Sequence, residues 1–160
     1  MTDKPALPAI DPEEADWQVG TRYPASLAAP CAERRKKALG DMAGLSHFGI
    51  NLVELPPGSH SSLRHWHSAE DEFVYILEGE ATLITDQGEQ LLGPGMAAGF
   101  PAGRANGHHL VNRSQAPVRY LEVGDRATGE DRVEYADVDL RIVRRPGSRT
   151  VTRRDGSPVE

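Results

Sequence analysis

The chain has 160 residues, of which 38% are hydrophobic, and a net charge of −6, which fits one domain with a modest core. The acidic charge argues against broad contact with nucleic acid, which needs a basic face, and no apolar run of about 18 residues is present to span a membrane. The single cysteine, Cys31, cannot form an internal disulfide, and the N-terminal residues lack the apolar stretch of a signal peptide, so we expect a cytoplasmic protein.

Residues 1–43 are predicted to form an irregular N-terminal arm. Many of the 12 prolines of the chain lie in it, and proline fixes φ and removes a backbone donor. Trp17 and Tyr23 could pack this arm on the domain. Residues 32–39, with the sequence AERRKKAL, are consistent with one short helical turn. The basic run 34–37 within them favours a solvated face, with contact to an acidic partner as the alternative.

Residues 44–125 alternate between strand-like runs and turns. The predicted strands are LSHFGINLVEL, FVYIL, ATLIT, EQLL, HHLVN and VRYLEVG. An Asp-Gln-Gly turn joins ATLIT to EQLL, which is typical of a β-hairpin. Strand-like runs that recur about every ten residues predict an all-β sandwich or barrel. Residues 126–160 are predicted to be a C-terminal strand followed by an extended polar tail.

The stretch HWHSAEDE places two histidines and a glutamate close together. Side chains two residues apart on a strand point the same way, with Cα atoms about 6.6 Å apart, so His65 and His67 could converge on one ion. Glu72 begins the next strand and could stand beside them in an antiparallel pair. Two imidazoles and a carboxylate suit one divalent transition metal ion and do not choose among Mn, Fe, Zn, Ni and Co. The alternative is an exposed strand end with polar side chains.

A further ligand could come from the sequence GHHLVN. His108 and His109 are neighbours on a strand and face opposite sides, so we expect at most one of them to reach the ion. The pattern leaves both open. His47 and His60 are predicted to be structural or surface histidines.

The FVYIL strand is apolar on both sides. Val74 and Ile76 share the face of Glu72 and would line the barrel. The second apolar face is made of Phe73, Tyr75 and Leu77. A strand buried on both sides indicates a second sheet or a partner subunit over that face, and we therefore expect a homodimer.

These residues resemble the two motifs of the cupin superfamily. The first motif, G(X)5HXH(X)3,4E(X)6G, is filled by Gly58, His65, His67, Glu72 and Gly79, with one extra residue before His65. The second motif, G(X)5PXG(X)2H(X)3N, is matched in spacing by Gly95, Pro101 and Gly103. Asn106 stands at the histidine position, and His108 followed by Asn112 restores H(X)3N after two extra residues.

The resemblance covers about half of the chain, residues 45–125. It implies a double-stranded β-helix, which is the jelly-roll barrel of cupins, often dimeric and with a metal inside one mouth. The implied metal ligands are His65, His67, Glu72 and His108.

Three functions follow as hypotheses. The first is a metal-dependent enzyme acting on a small polar molecule, similar to the sugar-phosphate isomerase cupins. It needs a base near the metal, for which Glu70 or Asp71 is a candidate, and cations for phosphate, for which Arg104 and Arg119 are available. A hydroxyl from Tyr75 or Tyr120 could also contact a substrate.

The second hypothesis is a non-haem metal dioxygenase, which needs an apolar pocket. Its candidate lining is Leu63, Val74, Ile76, Leu83 and Met96. The third is a non-catalytic sensor or binding protein for a small ligand. A metal that only stabilises the fold is a further alternative.

Overall fold

The computed structural model describes residues 7–126 and 129–159. Within these ranges thirteen strands and a few short helical turns are present. The strands are β1 Gln18–Val19, β2 Arg35–Lys37, β3 Phe48–Leu55, β4 His65–His67, β5 Glu72–Glu78, β6 Ala81–Thr85, β7 Gly88–Leu92, β8 Ala97–Phe100, β9 His108–Val111, β10 Val118–Asp125, β11 Asp131–Tyr135, β12 Arg141–Arg145 and β13 Ser148–Thr152. The helical turns are the 3-10 segments Pro12–Glu14, Ala25–Leu27 and Ala29–Cys31 and the α-helix α1, Leu39–Met42. None of the described helices is long and apolar enough to cross a bilayer.

The strands form two antiparallel sheets. Sheet A has the order β1-β2-β3-β10-β5-β8, and sheet B has the order β13-β12-β11-β4-β9-β6-β7. Apolar side chains from both sheets meet in one core, for example Val53 and Ile76 from sheet A with Leu83 and Leu110 from sheet B. The predicted all-β barrel is confirmed.

The two faces of β5 have different surroundings. Val74 and Ile76 lie in the core between the sheets, as predicted. Phe73, Tyr75 and Leu77 point outward from sheet A and are 43%, 40% and 40% exposed. The homodimer that would cover this outer face stays a prediction.

Two tight turns contain the residues that their backbone geometry requires. Asp86 and Gln87 join β6 to β7 as a two-residue hairpin loop, as predicted. Gly79, between β5 and β6, has φ +77°, and a Cβ there would lie 2.5 Å from the carbonyl oxygen of Pro117. Only glycine fits that turn without moving the backbone.

The N-terminal arm differs from its prediction. The helical turn predicted for residues 32–39 is wrong, because Arg35–Lys37 forms a strand between β1 and β3 and α1 begins only at Leu39. The open edge of β3 supplies backbone partners, which override the helical propensity of a short polar segment. Trp17 packs the arm on the sheet as expected, with Arg35 4.6 Å from its ring centroid.

The C-terminal segment is extended, but it is not a free tail. β11, β12 and β13 form one end of sheet B. β11 pairs with β4 in the register Val133↔His67 and Tyr135↔His65. The strand that carries the two histidines is therefore held on one side by a segment more than sixty residues later in the chain.

A second apolar cluster fixes that segment to the arm. Val133, Tyr135 and Ile142 are buried in it. Tyr23 packs against them, with its ring edge-on to Tyr135 at a centroid distance of 5.6 Å. The arm and the C-terminal strands thus meet beside the histidine strand.

Candidate metal centre

Three strands bring the predicted ligands to one mouth of the barrel. His65 and His67 lie on β4, and His108 begins β9, directly opposite His65 in the register of sheet B. Glu72 begins β5, which belongs to sheet A. The antiparallel pair predicted between the first two ligand strands is therefore wrong: Glu72 reaches the histidines across the barrel.

The Nε2 atoms of all three histidines face the carboxylate of Glu72. The distance from Nε2 to the nearer Glu72 oxygen is 3.4 Å for His65, 3.3 Å for His67 and 2.6 Å for His108. The candidate ligand atoms of His65, His67 and Glu72 all lie within 4.8 Å of one another. His108 is outside that group of three and joins the site through its contact with Glu72.

The other ring nitrogen of each histidine is already engaged. Nδ1 of His65 donates to the carbonyl oxygen of Leu63 at 2.8 Å, and Nδ1 of His67 donates to the carboxylate of Asp131 at 2.7 Å. Nδ1 of His108 donates to the carbonyl oxygen of Asn106 at 3.4 Å. These oxygens can only accept. Nδ1 therefore carries a proton in each ring, and Nε2 is the atom left to bind a metal ion or a second proton.

This arrangement fits a bound cation. Three Nε2 atoms and a carboxylate converge on one region, and these electron-rich atoms repel one another unless protons or a cation lie between them. Neutral imidazoles whose Nδ1–H is fixed by an acceptor are typical of metal-ligating histidines. The donor set suits Mn, Fe, Zn, Ni or Co.

The pKa values of the cluster show how strongly its charges interact. Burial disfavours the charged form of His67, but hydrogen bonds to Asp131 and Glu72 outweigh burial and raise the pKa of His67 to about 9. Burial alone would raise the pKa of Glu72, yet the surrounding imidazoles hold that pKa well below its usual value. Burial lowers the pKa of His108, and its bond to Glu72 offsets this only in part.

Asp131 is a candidate site residue that the sequence patterns did not indicate. It is 1% exposed at the start of β11. Its second oxygen accepts from the backbone N–H of Ala69 at 2.9 Å, so the carboxylate is fixed in position beside His67. Asp131 lies 64 residues from His67 and outside both motifs, so no local spacing could have indicated it.

His109 points away from Glu72. Its Nδ1 donates to the carbonyl oxygen of Ser62 at 2.9 Å. Its ring packs edge-on against His60 at a centroid distance of 5.1 Å. The geometry favours His108 over His109 as the fourth ligand, and the ligand set itself stays a prediction.

The other polar candidates have structural contacts. Arg119 donates to Glu54 at 2.7 Å on the outer face of sheet A, and Asp71 accepts from the backbone N–H of Ala102 at 2.7 Å. Arg104 is exposed in its loop and is not among the residues that line the cavities beside the metal centre. Glu70 does line the larger cavity and lies 3.6 Å from Nδ1 of His67.

Two adjoining cavities open on the candidate ligands. The larger has a volume of about 810 Å³ and is lined by His65, His67 and Glu72. The smaller, of about 30 Å³, shares His65 and Glu72 with it and is also lined by Tyr120. Glu122 lines both, so a carboxylate that is not a candidate ligand faces the same space.

Comparisons with known proteins identify the family. The model of the cupin domain matches residues 51–124. The chain is 44% identical to a structure from Silicibacter pomeroyi described as a sugar phosphate isomerase from a cupin superfamily, with a TM-score of 0.92 over 96% of this chain and 97% of that one. The chain belongs to the cupin superfamily. The arm and the C-terminal strands of this cupin lie outside the matched domain, yet the relative aligns along nearly the whole chain.

Two further structures are similar over most of this cupin. A candidate sugar phosphate isomerase from Acidithiobacillus ferrooxidans is 33% identical, with a TM-score of 0.72 over 81% of each chain. The polyketide cyclase RemF from Streptomyces resistomycificus is 25% identical, with a TM-score of 0.61 over 75% of this chain and 80% of that one. A comparison with curated proteins finds no match.

Proposed function

We propose that this cupin is a metal-dependent isomerase that acts on a small phosphorylated sugar. The observation that carries the proposal is a cavity of about 810 Å³, shared by the candidate metal ligands and the separate carboxylate of Glu122. That volume suits a small-molecule substrate. Two similar structures, at 44% and 33% identity, are described as a sugar phosphate isomerase and a candidate sugar phosphate isomerase.

His65, His67, Glu72 and His108 would hold one divalent transition metal ion. Such an ion supplies Lewis-acid polarisation of a carbonyl oxygen. The residues of the chain then have to position the sugar and move its protons.

Glu122 is positioned to act as the general base. One of its oxygens accepts from the Asn51 side chain at 3.0 Å and lies 3.4 Å from the Arg34 guanidinium. Its other oxygen accepts no hydrogen bond from the residues that the structure describes and is available to a substrate. In an aldose–ketose interconversion, Glu122 would take the proton from the carbon next to the carbonyl and return it to the former carbonyl carbon. The hydroxyl proton moves to the former carbonyl oxygen, so the reaction is balanced without an oxidant.

Tyr120 can support this transfer as a hydrogen-bond donor. Its side chain is completely buried. Among the described residues its hydroxyl has no hydrogen bond of good geometry, and Arg34 and Ser61 are its polar neighbours. It lines the smaller cavity beside Glu122. Burial raises the pKa of Tyr120, so the hydroxyl keeps its proton at neutral pH. A buried donor of this kind is expected to contact a polar ligand.

The cavity walls favour the isomerase over the dioxygenase. Of the five apolar residues predicted to line a dioxygenase pocket, Val74 alone lines either cavity. Met96 is 48% exposed, away from the centre. The larger cavity is instead lined by several charged and hydroxyl side chains.

The test is turnover of phosphorylated aldoses and ketoses by the Mn- or Zn-loaded protein without O₂, in deuterated water. We expect interconversion with solvent deuterium entering the product, because Glu122 exchanges its proton. Glu122→Gln should load metal normally and lose roughly 100-fold or more in turnover. Glu78→Gln, which removes an exposed carboxylate that lines neither cavity, is the matched control and should keep full activity.

Three outcomes would contradict the proposal. Consumption of O₂ with substrate would favour the dioxygenase. A thermal shift on adding phosphosugars, without turnover, would favour the sensor. If the protein contains no metal after growth and purification with added metal, the isomerase and dioxygenase hypotheses both lose their basis.

A further inference from the structure

The basic run 34–37 is divided between two faces of the arm. Arg35 and Lys37 lie over the ring of Trp17, at 4.6 and 4.8 Å from its centroid. Alternation along the extended chain sends Arg34 and Lys36 to the other face, where both line the larger cavity. The run is therefore not simply a solvated face, and its contact with an acidic partner stays a prediction.

The C-terminal hairpin adds cations to the same cavity. Arg144 on β12 and Arg149 on β13 are direct partners in the strand register, and both line the cavity. Like charges directly opposite each other destabilise a strand pair. Such a pair is expected where an anion binds between or beside the two guanidinium groups.

Carboxylates of the protein neutralise this wall only in part. Arg34 pairs with Glu122 and Arg144 with Glu70, each at 3.4 Å. Among residues 7–126 and 129–159, no ion pair involves Lys36 or Arg149. The guanidinium of Arg149 donates to the backbone carbonyl of Arg22 at 3.4 Å.

The wall also has a buried nitrogen without a hydrogen-bond partner and cations that repel one another. Nε of Arg34 is buried and has no hydrogen-bond partner among the described residues. Burial lowers the pKa of Lys36, and the charge of Arg34 lowers it further. Burial also lowers the pKa of Arg149, with Arg22 and Arg144 adding to the effect. The cations repel one another, although the whole chain has a net charge of −6.

We propose that Arg34, Lys36, Arg144 and Arg149 form the binding site for the phosphate group of the substrate. This inference rests on the proposed function and identifies the phosphate as the group by which the protein selects its substrate. A phosphomonoester dianion presents three acceptor oxygens and up to two negative charges, which match several converging cationic donors better than a single carboxylate does. All four residues lie outside the matched cupin domain, residues 51–124, so substrate selection belongs to the arm and the C-terminal hairpin.

The test is calorimetric titration of the metal-loaded protein with inorganic phosphate in a chloride buffer of low ionic strength. We expect saturable binding, with Lys36→Gln and Arg149→Gln each weakening it roughly tenfold or more. Arg104→Gln removes an exposed arginine that lines neither cavity and should bind phosphate like the native chain. Arg149→Gln should also unfold at the same or a higher temperature than the native chain, because it removes a like-charge pair.

Failure of this site and failure of the proposed function give different results. If native protein does not bind phosphate, or if Lys36→Gln and Arg149→Gln bind it unchanged, the phosphate site is wrong even when sugars are isomerised. If phosphate binding depends on these residues but no phosphosugar is turned over, the site stands and the isomerase assignment fails.

Discussion

Replacing Asp131 by asparagine should weaken metal binding without touching a ligand. Both oxygens of Asp131 accept hydrogen bonds, one from Nδ1 of His67 at 2.7 Å and the other from the backbone N–H of Ala69 at 2.9 Å. Asparagine has the same shape but one acceptor oxygen. Its NH₂ group would have to face one of the two donors, and the orientation and basicity of His67 would no longer be held.

The size of the effect follows from this lost support. Removing the partner of a ligating histidine costs about 10- to 100-fold in metal affinity, which is roughly 1.4–2.8 kcal/mol at 1.4 kcal/mol per factor of ten. The assay is competition for Zn²⁺ or Mn²⁺ against a chromophoric chelator at neutral pH, with circular dichroism to confirm that the variant is folded.

A matched control separates this effect from a general loss of charge. Asp137→Asn removes an exposed carboxylate that pairs with Arg64 at 2.8 Å, and it should bind metal like the native chain. If folded Asp131→Asn has the native dissociation constant, the interpretation of Asp131 as the support of His67 is refuted.

Two other predictions test the fourth ligand and the outer face of sheet A. His108→Ala should abolish stoichiometric metal loading in elemental analysis, whereas His109→Ala should leave it intact; the opposite result would assign the ligand to His109. Glu54 is 4% exposed and paired with Arg35 and Arg119. Burial raises its pKa, but the two arginines outweigh burial and lower that pKa below 4.5. Because its folded pKa lies below its unfolded one, its contribution is present at neutral pH and is lost as pH falls through the folded value. Glu54→Gln should therefore cost roughly 1 kcal/mol in urea unfolding at pH 7 and much less near pH 3; an equal loss at both would contradict the ionic origin.

Local periodicity was enough to predict most of the central barrel. Strand alternation placed His65 and His67 on one face, and the same rule put Val74 and Ile76 in the core and Phe73 on the opposite face. The hairpin between β6 and β7 followed from its turn residues. These features depend on neighbours within a few residues, so a single sequence contains them.

Predictions failed where a segment takes its structure from a distant partner. Residues 32–39 were predicted to include a helical turn, but the edge of β3 draws Arg35–Lys37 into a strand. Glu72 was expected beside the histidine strand and instead lies in the opposite sheet. Arg104 and Arg119, which were candidates for phosphate, are exposed or paired with Glu54.

The sequence by itself determined that a β-barrel would present two histidines and a glutamate as candidate ligands, because side-chain direction along a strand repeats every two residues. Only the tertiary structure decided which groups surround those ligands. Asp131 supports His67, Glu122 faces the cavity, and Arg34 and Arg149 charge its wall, because strand pairing joins the barrel to segments far away in the chain. Register and sheet order set these neighbours, and neither can be read from the spacing within one segment.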